Sequence, residues 1–452
     1  MTFEESSGKY SLLECIRLTE ANYQRSRPNF TPPENPAFAD FLVQIKTVEA
    51  SKRQGRIAFD VTYLLKLDRV TGVQRVAFEL ARSFLEMSKA GGMELFFIGL
   101  KDTSFEVYEP SPDGHKPQFR PTGKIAEFRP GDQALIVDMM QVGYENFFHA
   151  VYRARKSGAT LNFIVHDMIW LVNTAWASDQ SAVQMLVRWT QILRFADRLI
   201  CVSRKVSRDV ACYVAETSMV GLTPTRSLPV SYFTLGCDPL LSGETQGSEP
   251  AFPVDSNTLV AVGTFTTRKG LVQLFHAVQV LWAEGSEAKL VLIGMDIGAG
   301  NTRRFLASQP EFNKKLFLPG YVSDIDMKFI LENCSALVYP SLEEGFGLPL
   351  VEAAALGCPI IARDIEIFRE TSGGKAFFFE NGEAESIAAG LRKWFALTRK
   401  QQQKFIPKES LVTWKQSAEM LKTIMFQGAA SFSVEVGIKA TVNLAVPVQV
   451  NP

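Results

Sequence analysis

From Arg56 onward the chain alternates short, wholly apolar runs with longer stretches of helical periodicity, and this predicts a parallel α/β organisation. The apolar runs fall at Ile57–Val61, Leu95–Leu100, Ala134–Val137, Leu161–Val165, Leu199–Val202 and Val230–Leu235. They resume at Thr258–Val262, Lys289–Ile293, Leu316–Leu318, Ala336–Tyr339, Ile360–Ala362 and Ala376–Phe379. Between the two sets, residues 239–256 are rich in Pro, Ser, Gly, Glu and Thr and read as a linker. The pattern implies two Rossmann-like domains, 56–238 and 257–410, whose sheets face each other across a cleft.

Both ends fall outside this pattern. In residues 1–55, the capping-box string Ser11-Leu12-Leu13-Glu14 opens a short helix, and Arg27 to Pro36 is proline-rich and irregular. Phe38, Phe41, Leu42, Ile45 and Val48 then recur at helical spacing. Packing on the following domain is the simplest use of that helix; its other face is not notably basic, which disfavours a membrane surface. Residues 428–452 are small and β-prone without a charge pattern, and fit a strand, an oligomer contact or an unstructured tail alike.

Polar residues stand where the first-domain strands end: Asp60, Asp138, His166-Asp167 and Ser203. Each alone is explained as a cap of the next helix. As a set they lie on the edge where open parallel sheets bind ligands. The second-domain strands end instead in Gly263, Gly294 and Gly320. The most informative stretch follows the strand Ala336–Tyr339. Gly345 and Gly347 let backbone approach a ligand closely, Pro349 suits the first position of a helix, and Gly357 ends that helix. Its free N–H groups and positive dipole end make an anion site. Glu344 and Glu352 flank it. Glu352 alone would be an ordinary helix-dipole partner, but two acceptor-only groups on either side of a bound diphosphate suit the hydroxyls of a sugar and of a ribose. A molecule with hydroxyls on both sides of a diphosphate is a nucleotide sugar.

The string Glu344-Gly345-Phe346-Gly347-Leu348-Pro349-Leu350-Val351-Glu352 resembles the E-x7-E signature of the retaining glycosyltransferases of family 4, which have the GT-B fold. The agreement extends through Tyr339-Pro340-Ser341 before it and Ala353 to Ala362 after it. Thr71-Gly72-Val73-Gln74-Arg75 resembles that family's N-terminal glycine loop, and Val165-His166-Asp167-Met168 its H-D element. Gly263 to Gly270 resembles V-G-T-x-x-x-R-K-[NG], and Gly320-Tyr321-Val322-Ser323 the loop bordering the nucleobase. Trp414 to Leu421 resembles the closing helix, here 411–427, that crosses back to the first domain. The resemblance covers roughly residues 56–425.

It implies a metal-independent hexosyl transfer from a nucleotide diphosphate sugar to a hydroxyl, with retention at the anomeric carbon. The implied catalytic residues are Arg268, Lys269, Glu344 and His166. Arg268 and Lys269 would stabilise the negative charge that develops on the leaving diphosphate. Gly72, Gly263, Gly345, Phe346, Gly347 and Leu348 would complete its cradle. Glu344 would position the sugar, Glu352 the ribose diol, and Val322 would border the base. The departing phosphate oxygen would serve as base in a front-face step, so Glu344 is not cast as a double-displacement nucleophile. Asp324-Ile325-Asp326 mimics a metal motif, but it opens a helix, where acidic residues belong. No metal ligand and no cofactor is expected.

Composition narrows the partners. Apolar residues make up 46% and charged residues 21%, as in a soluble globular protein, and the zero net charge disfavours nucleic acid. No apolar run approaches the ~20 residues that span a bilayer, and the first residues lack a signal-peptide pattern. Six scattered cysteines without C-x-x-C read as reduced core residues, which with the foregoing suggests a cytoplasmic location. The Thr71–Arg75 loop further resembles mannosyl- and rhamnosyltransferases of bacterial surface polysaccharides. That favours GDP-mannose, with UDP-glucose and dTDP-rhamnose still open. The acceptor would be a glycan or lipid-linked glycan, with peripheral attachment at the inner membrane face left open. Arg153, Arg155 and Lys156 could serve such attachment, although a solvated helix face is the simpler account. The rival readings are a GT-B phosphorylase or epimerase and a non-catalytic scaffold that binds nucleotide sugars. A dinucleotide dehydrogenase is disfavoured, because no G-x-G-x-x-G follows either first strand.

Overall fold

The computed structural model describes residues 55–427 and 432–435, apart from 67–71, 112–117, 139–143, 173–178, 220–226, 239–249, 251, 297–299 and 381. The expectations for residues 1–54, for most of the linker and for 436–452 lie outside the described residues.

The first lobe contains β1 (Ile57–Asp60), β2 (Leu95–Lys101), β3 (Ser104–Ser111), β4 (Gln118–Ile125), β5 (Gln133–Ile136), β6 (Thr160–Val165), β7 (Arg198–Cys201) and β8 (Ser227–Tyr232). The second contains β9 (Thr258–Val262), β10 (Lys289–Ile293), β11 (Leu316–Gly320), β12 (Ala336–Tyr339), β13 (Ile360–Arg363) and β14 (Phe377–Phe379). A last strand, β15 (Phe432–Glu435), returns to the first lobe. Among the described residues the sheet orders are β15-β8-β7-β6-β5-β1-β2-β3-β4 and β11-β10-β9-β12-β13-β14.

The apolar runs read from the sequence are the parallel strands of both sheets. β1, β5, β9, β12 and β13 each run through a stretch of buried side chains, as strands covered on both faces must. β9 pairs in parallel with both β10 and β12, so the strand order reverses between β9 and β12. A crevice opens beyond the carboxyl ends of strands at such a switch point. In the first lobe β1 holds the same place between β2 and β5.

Two features had no counterpart in the apolar runs. β3 and β4 extend the sheet antiparallel from β2, and β4 is mostly exposed, so it carries no apolar run to read. β15 adds an antiparallel edge to β8, which gives part of the 428–452 segment a place. The helix Trp414–Gln427 is fastened to the first lobe by Ser417 Oγ donating to Thr234 O (2.7 Å), Lys422 Nζ to Gly92 O (2.7 Å) and Arg198 Nη1 to Met425 O (3.0 Å). Gly236 permits that seat, since a Cβ there would stand 2.3 Å from Trp414 Cα.

Cys201, Cys237, Cys334 and Cys358 are buried free thiols, but Cys212 is exposed on the helix Arg204–Met219 rather than a core residue. Arg155 is not part of a free basic face either. It donates to Phe195 O (2.8 Å) and pairs with Asp197 (2.8 Å), tying the helix Tyr144–Lys156 to its neighbour. Among the described residues, no helix is long and apolar enough to cross a membrane.

Candidate active site in the cleft

The site starts where β9 ends. Thr267–Lys269 makes one tight turn closed by Gly270 at φ 65°. A Cβ on Gly270 would lie 2.5 Å from Pro340 O, so the loop after β9 rests directly on the end of β12. Gly263 leaves room for the stem of Lys269, whose Cδ would lie 3.3 Å from a Cβ there. These close approaches aim both cations at the loop after β12. Lys269 Nζ pairs with Glu344 Oε1, and Arg268 Nη1 lies 3.2 Å from Glu344 Oε2. Arg268 also donates to Glu343 O at 2.7 Å. Burial pushes the Glu344 carboxyl up, but Lys269 and Arg268 outweigh it and hold the group below its ordinary pKa. The result is a buried carboxylate locked between two fixed positive charges.

Gly347, at φ 96°, then turns the chain into the helix Leu348–Ala355, with Pro349 at its start and the Phe346 ring buried beneath. The loop is pressed against the first lobe. A Cβ on Gly345 would stand 1.9 Å from His166 O, and Ser203 Oγ donates to Gly345 O at 2.8 Å. The His166 ring is held by its own sheet, with Nε2 2.8 Å from Val137 O. Asp167 accepts from Ile169 N at 3.1 Å; burial raises its pKa, and the charge of Arg268 acts against the rise.

Glu352, in the helix after that loop, meets Arg75 of the opposite lobe, with Nε 3.2 Å from Oε1. Burial raises the Glu352 pKa, Arg75 acts against it, and Asp324 and Glu79 add to it. Arg75 stands in the first turn of the helix Gly72–Lys89, which Gly72 opens at φ 43°. Val322 is half-buried on the loop leading to Asp324. Ser323 caps the helix Asp324–Asn333 by accepting from Asp326 N (3.1 Å) and donates to Asp326 Oδ2 (2.7 Å), so the D-x-D string is a helix opening.

The residues singled out in the sequence thus fall into two groups. Arg268, Lys269, Glu344, Gly263 and Gly345 meet at the β9/β12 switch point, where the backbone of His166 packs on Gly345 while its ring stays on Val137 O. Glu352 meets the Gly72 helix, with the Val322 loop alongside. Sequence reasoning gave no role to Arg75, although it ends the Thr71–Arg75 loop, nor to several further contacts between lobes. Glu343, next to Glu344, turns away to Lys205 (2.9 Å). Glu370 accepts from the backbone N–H groups of Arg204 (2.6 Å) and Lys205 (3.0 Å), capping a helix of the other lobe. Arg208 pairs with Glu366. No local pattern marks such partners, because each pair joins residues far apart in the chain.

Asp60, at the end of β1, is buried, and burial pushes its pKa up to about 7, against hydrogen bonds from Thr62 and with help from Asp138. The folded protein therefore holds this proton more tightly than the unfolded chain. The resulting stability is complete below about pH 4 and is lost as pH rises through 7. Between pH 5 and 7, wild type is expected to lose about 2 kcal/mol relative to Asp60→Asn. Urea unfolding at the two pH values measures this; parallel changes in both proteins would refute it.

Two parallel α/β lobes facing across a cleft, with the polar cluster at the strand ends, define the GT-B architecture. Sucrose-phosphate synthase from Thermosynechococcus elongatus shares it, with a TM-score of 0.56 at 17% identity over 82% of this chain and 98% of that one. Residues 244–410 match the family model described as glycosyl transferases group 1. The serotype-specific mannosyltransferase WbdA of Escherichia coli is 30% identical over 377 residues, which are 81% of this chain and 46% of that protein. The O-antigen chain mannosyltransferase RfbU of Salmonella typhimurium is 28% identical over 136 residues, 30% of this chain and 38% of that one. The chain therefore resembles bacterial polysaccharide mannosyltransferases, and it spans about half the length of WbdA.

Proposed function

We propose that this chain is a retaining, metal-independent glycosyltransferase. It would move a sugar, for which mannose from GDP-mannose is the best choice, to a hydroxyl of a glycan or lipid-linked glycan in surface-polysaccharide synthesis. The observation that carries the reading is the Arg268–Lys269–Glu344 cluster at the β9/β12 switch point. Loss of a nucleoside diphosphate leaves negative charge on a phosphate oxygen, and two preorganised cations stabilise it as it forms. Glu344, kept ionised between them, accepts hydrogen bonds from sugar hydroxyls. The amides of Phe346, Gly347 and Leu348 face the diphosphate at a helix start. Glu352 accepts from the ribose diol, and His166 borders the sugar and the acceptor. The departing phosphate oxygen takes the acceptor proton on the same face, which preserves the anomeric configuration. The named activities of WbdA and RfbU support mannose. A cytoplasmic enzyme would meet a lipid-linked acceptor at the inner membrane face.

A thermal-shift panel of GDP-mannose, UDP-glucose, UDP-N-acetylglucosamine and dTDP-rhamnose, with and without EDTA, tests the donor. GDP-mannose at a hundred times its Kd is expected to add about 2.7 kcal/mol, undiminished by EDTA. A response to another donor alone replaces the sugar, and EDTA sensitivity removes metal independence. No response to any donor refutes the donor site.

A further inference from the structure

In this structure the carboxylate read as the ribose acceptor is held by the opposite lobe. Arg75 places Nε 3.2 Å from Glu352 Oε1 and Nη1 3.8 Å from Asp324 Oδ1. Its side chain is 28% exposed and that of Glu352 17%, so the pair is largely out of water. One planar guanidinium therefore spans two carboxylates of the second lobe, one on the helix after β12 and the other beside the loop after β11. The permanently charged guanidinium attracts both carboxylates from the opposite lobe as an ion pair.

We propose that Arg75 is a positioning residue for the nucleotide: it orients Glu352 toward the ribose diol, so that the ribose subsite is complete only when the two lobes are closed. The proposal rests on the reading of Glu352 given above. It makes recognition of the sugar ring of the nucleotide a property of the closed cleft, and a ligand carrying the diol favours closure through that added contact. Without the guanidinium, burial and the neighbouring Asp324 and Glu79 work unopposed against the ionised acceptor.

The test is calorimetric titration of the full chain with GDP and UDP, with their 2′-deoxyribose counterparts and with dTDP, which already lacks one hydroxyl of the diol, using wild type, Arg75→Gln, Arg75→Lys and Arg82→Gln. In wild type, removing a hydroxyl bonded to Glu352 is expected to weaken binding about ten- to a hundredfold. In Arg75→Gln the parent nucleotide weakens by a similar factor and the deoxy penalty falls below about threefold. Arg75→Lys lies between. Arg82, two turns along the same helix and paired with Glu79 and Asp238, keeps the full penalty when replaced. Equal losses for parent and deoxy nucleotides in Arg75→Gln place the effect on the phosphates or the fold and overturn the proposal. So does an undiminished deoxy penalty. A wild type that binds nucleotides without any deoxy penalty overturns the ribose reading of Glu352. One that binds none of them overturns the nucleotide-sugar reading itself.

Discussion

Replacing Lys269 with alanine is expected to lower kcat/KM about a hundred- to a thousandfold, with the melting temperature changed by only a few degrees. The Lys269 side chain is 13% exposed and its ammonium is paired with Glu344, so little reorganisation is required as charge develops on the leaving group. Arg268 remains beside Glu344, so the carboxylate is not left without a cation and the fold persists. Lys269→Ala combined with Glu344→Gln should lose far less than the product of the two single effects, because the pair acts as a unit. Steady-state kinetics with thermal unfolding on the same preparations decide the matter. Wild-type turnover in Lys269→Ala would remove the cluster from the chemistry.

Gly345→Ala is the second large effect. Its added Cβ would lie 1.9 Å from His166 O, which is backbone and has no side-chain freedom to yield. The lobes must then separate at the point where Arg268, Glu344 and Asp167 converge. A displacement of about 1 Å costs a positioned reaction around a hundredfold, so kcat is expected to fall by one to two orders of magnitude. The melting temperature should move less than for a core mutation, because the clash lies between lobes. An unchanged kcat would show that the contact is not part of the active arrangement.

The parallel strands were legible because a strand buried on both faces has to be an unbroken apolar run, as at Ala336–Tyr339. The Glu344–Glu352 string was legible because glycine, proline and carboxylate each have a fixed place in a strand–turn–helix. β4 was not, since Gln118–Ile125 lies mostly in solvent and has no run to display. Nor could the sequence tell the two adjacent glutamates apart on burial. Only the fold shows Glu344 between two cations and Glu343 turned toward Lys205 of the other lobe. Arg75 escaped notice for the same reason: its partners, Glu352 and Asp324, lie in the other half of the chain.

The return of Trp414–Gln427 and β15 to the first lobe bears on the order in which the protein can be made. β8 and the seat beside Gly236 precede the second lobe in the chain, and the segments that cover them follow it. The second lobe is continuous in the chain, from β9 to the region before Trp414, and has all its strands before the first lobe has its final edge. A nascent chain therefore carries a finished second lobe while the earlier-made lobe still waits, with one sheet edge uncovered, for Trp414–Gln427 and β15.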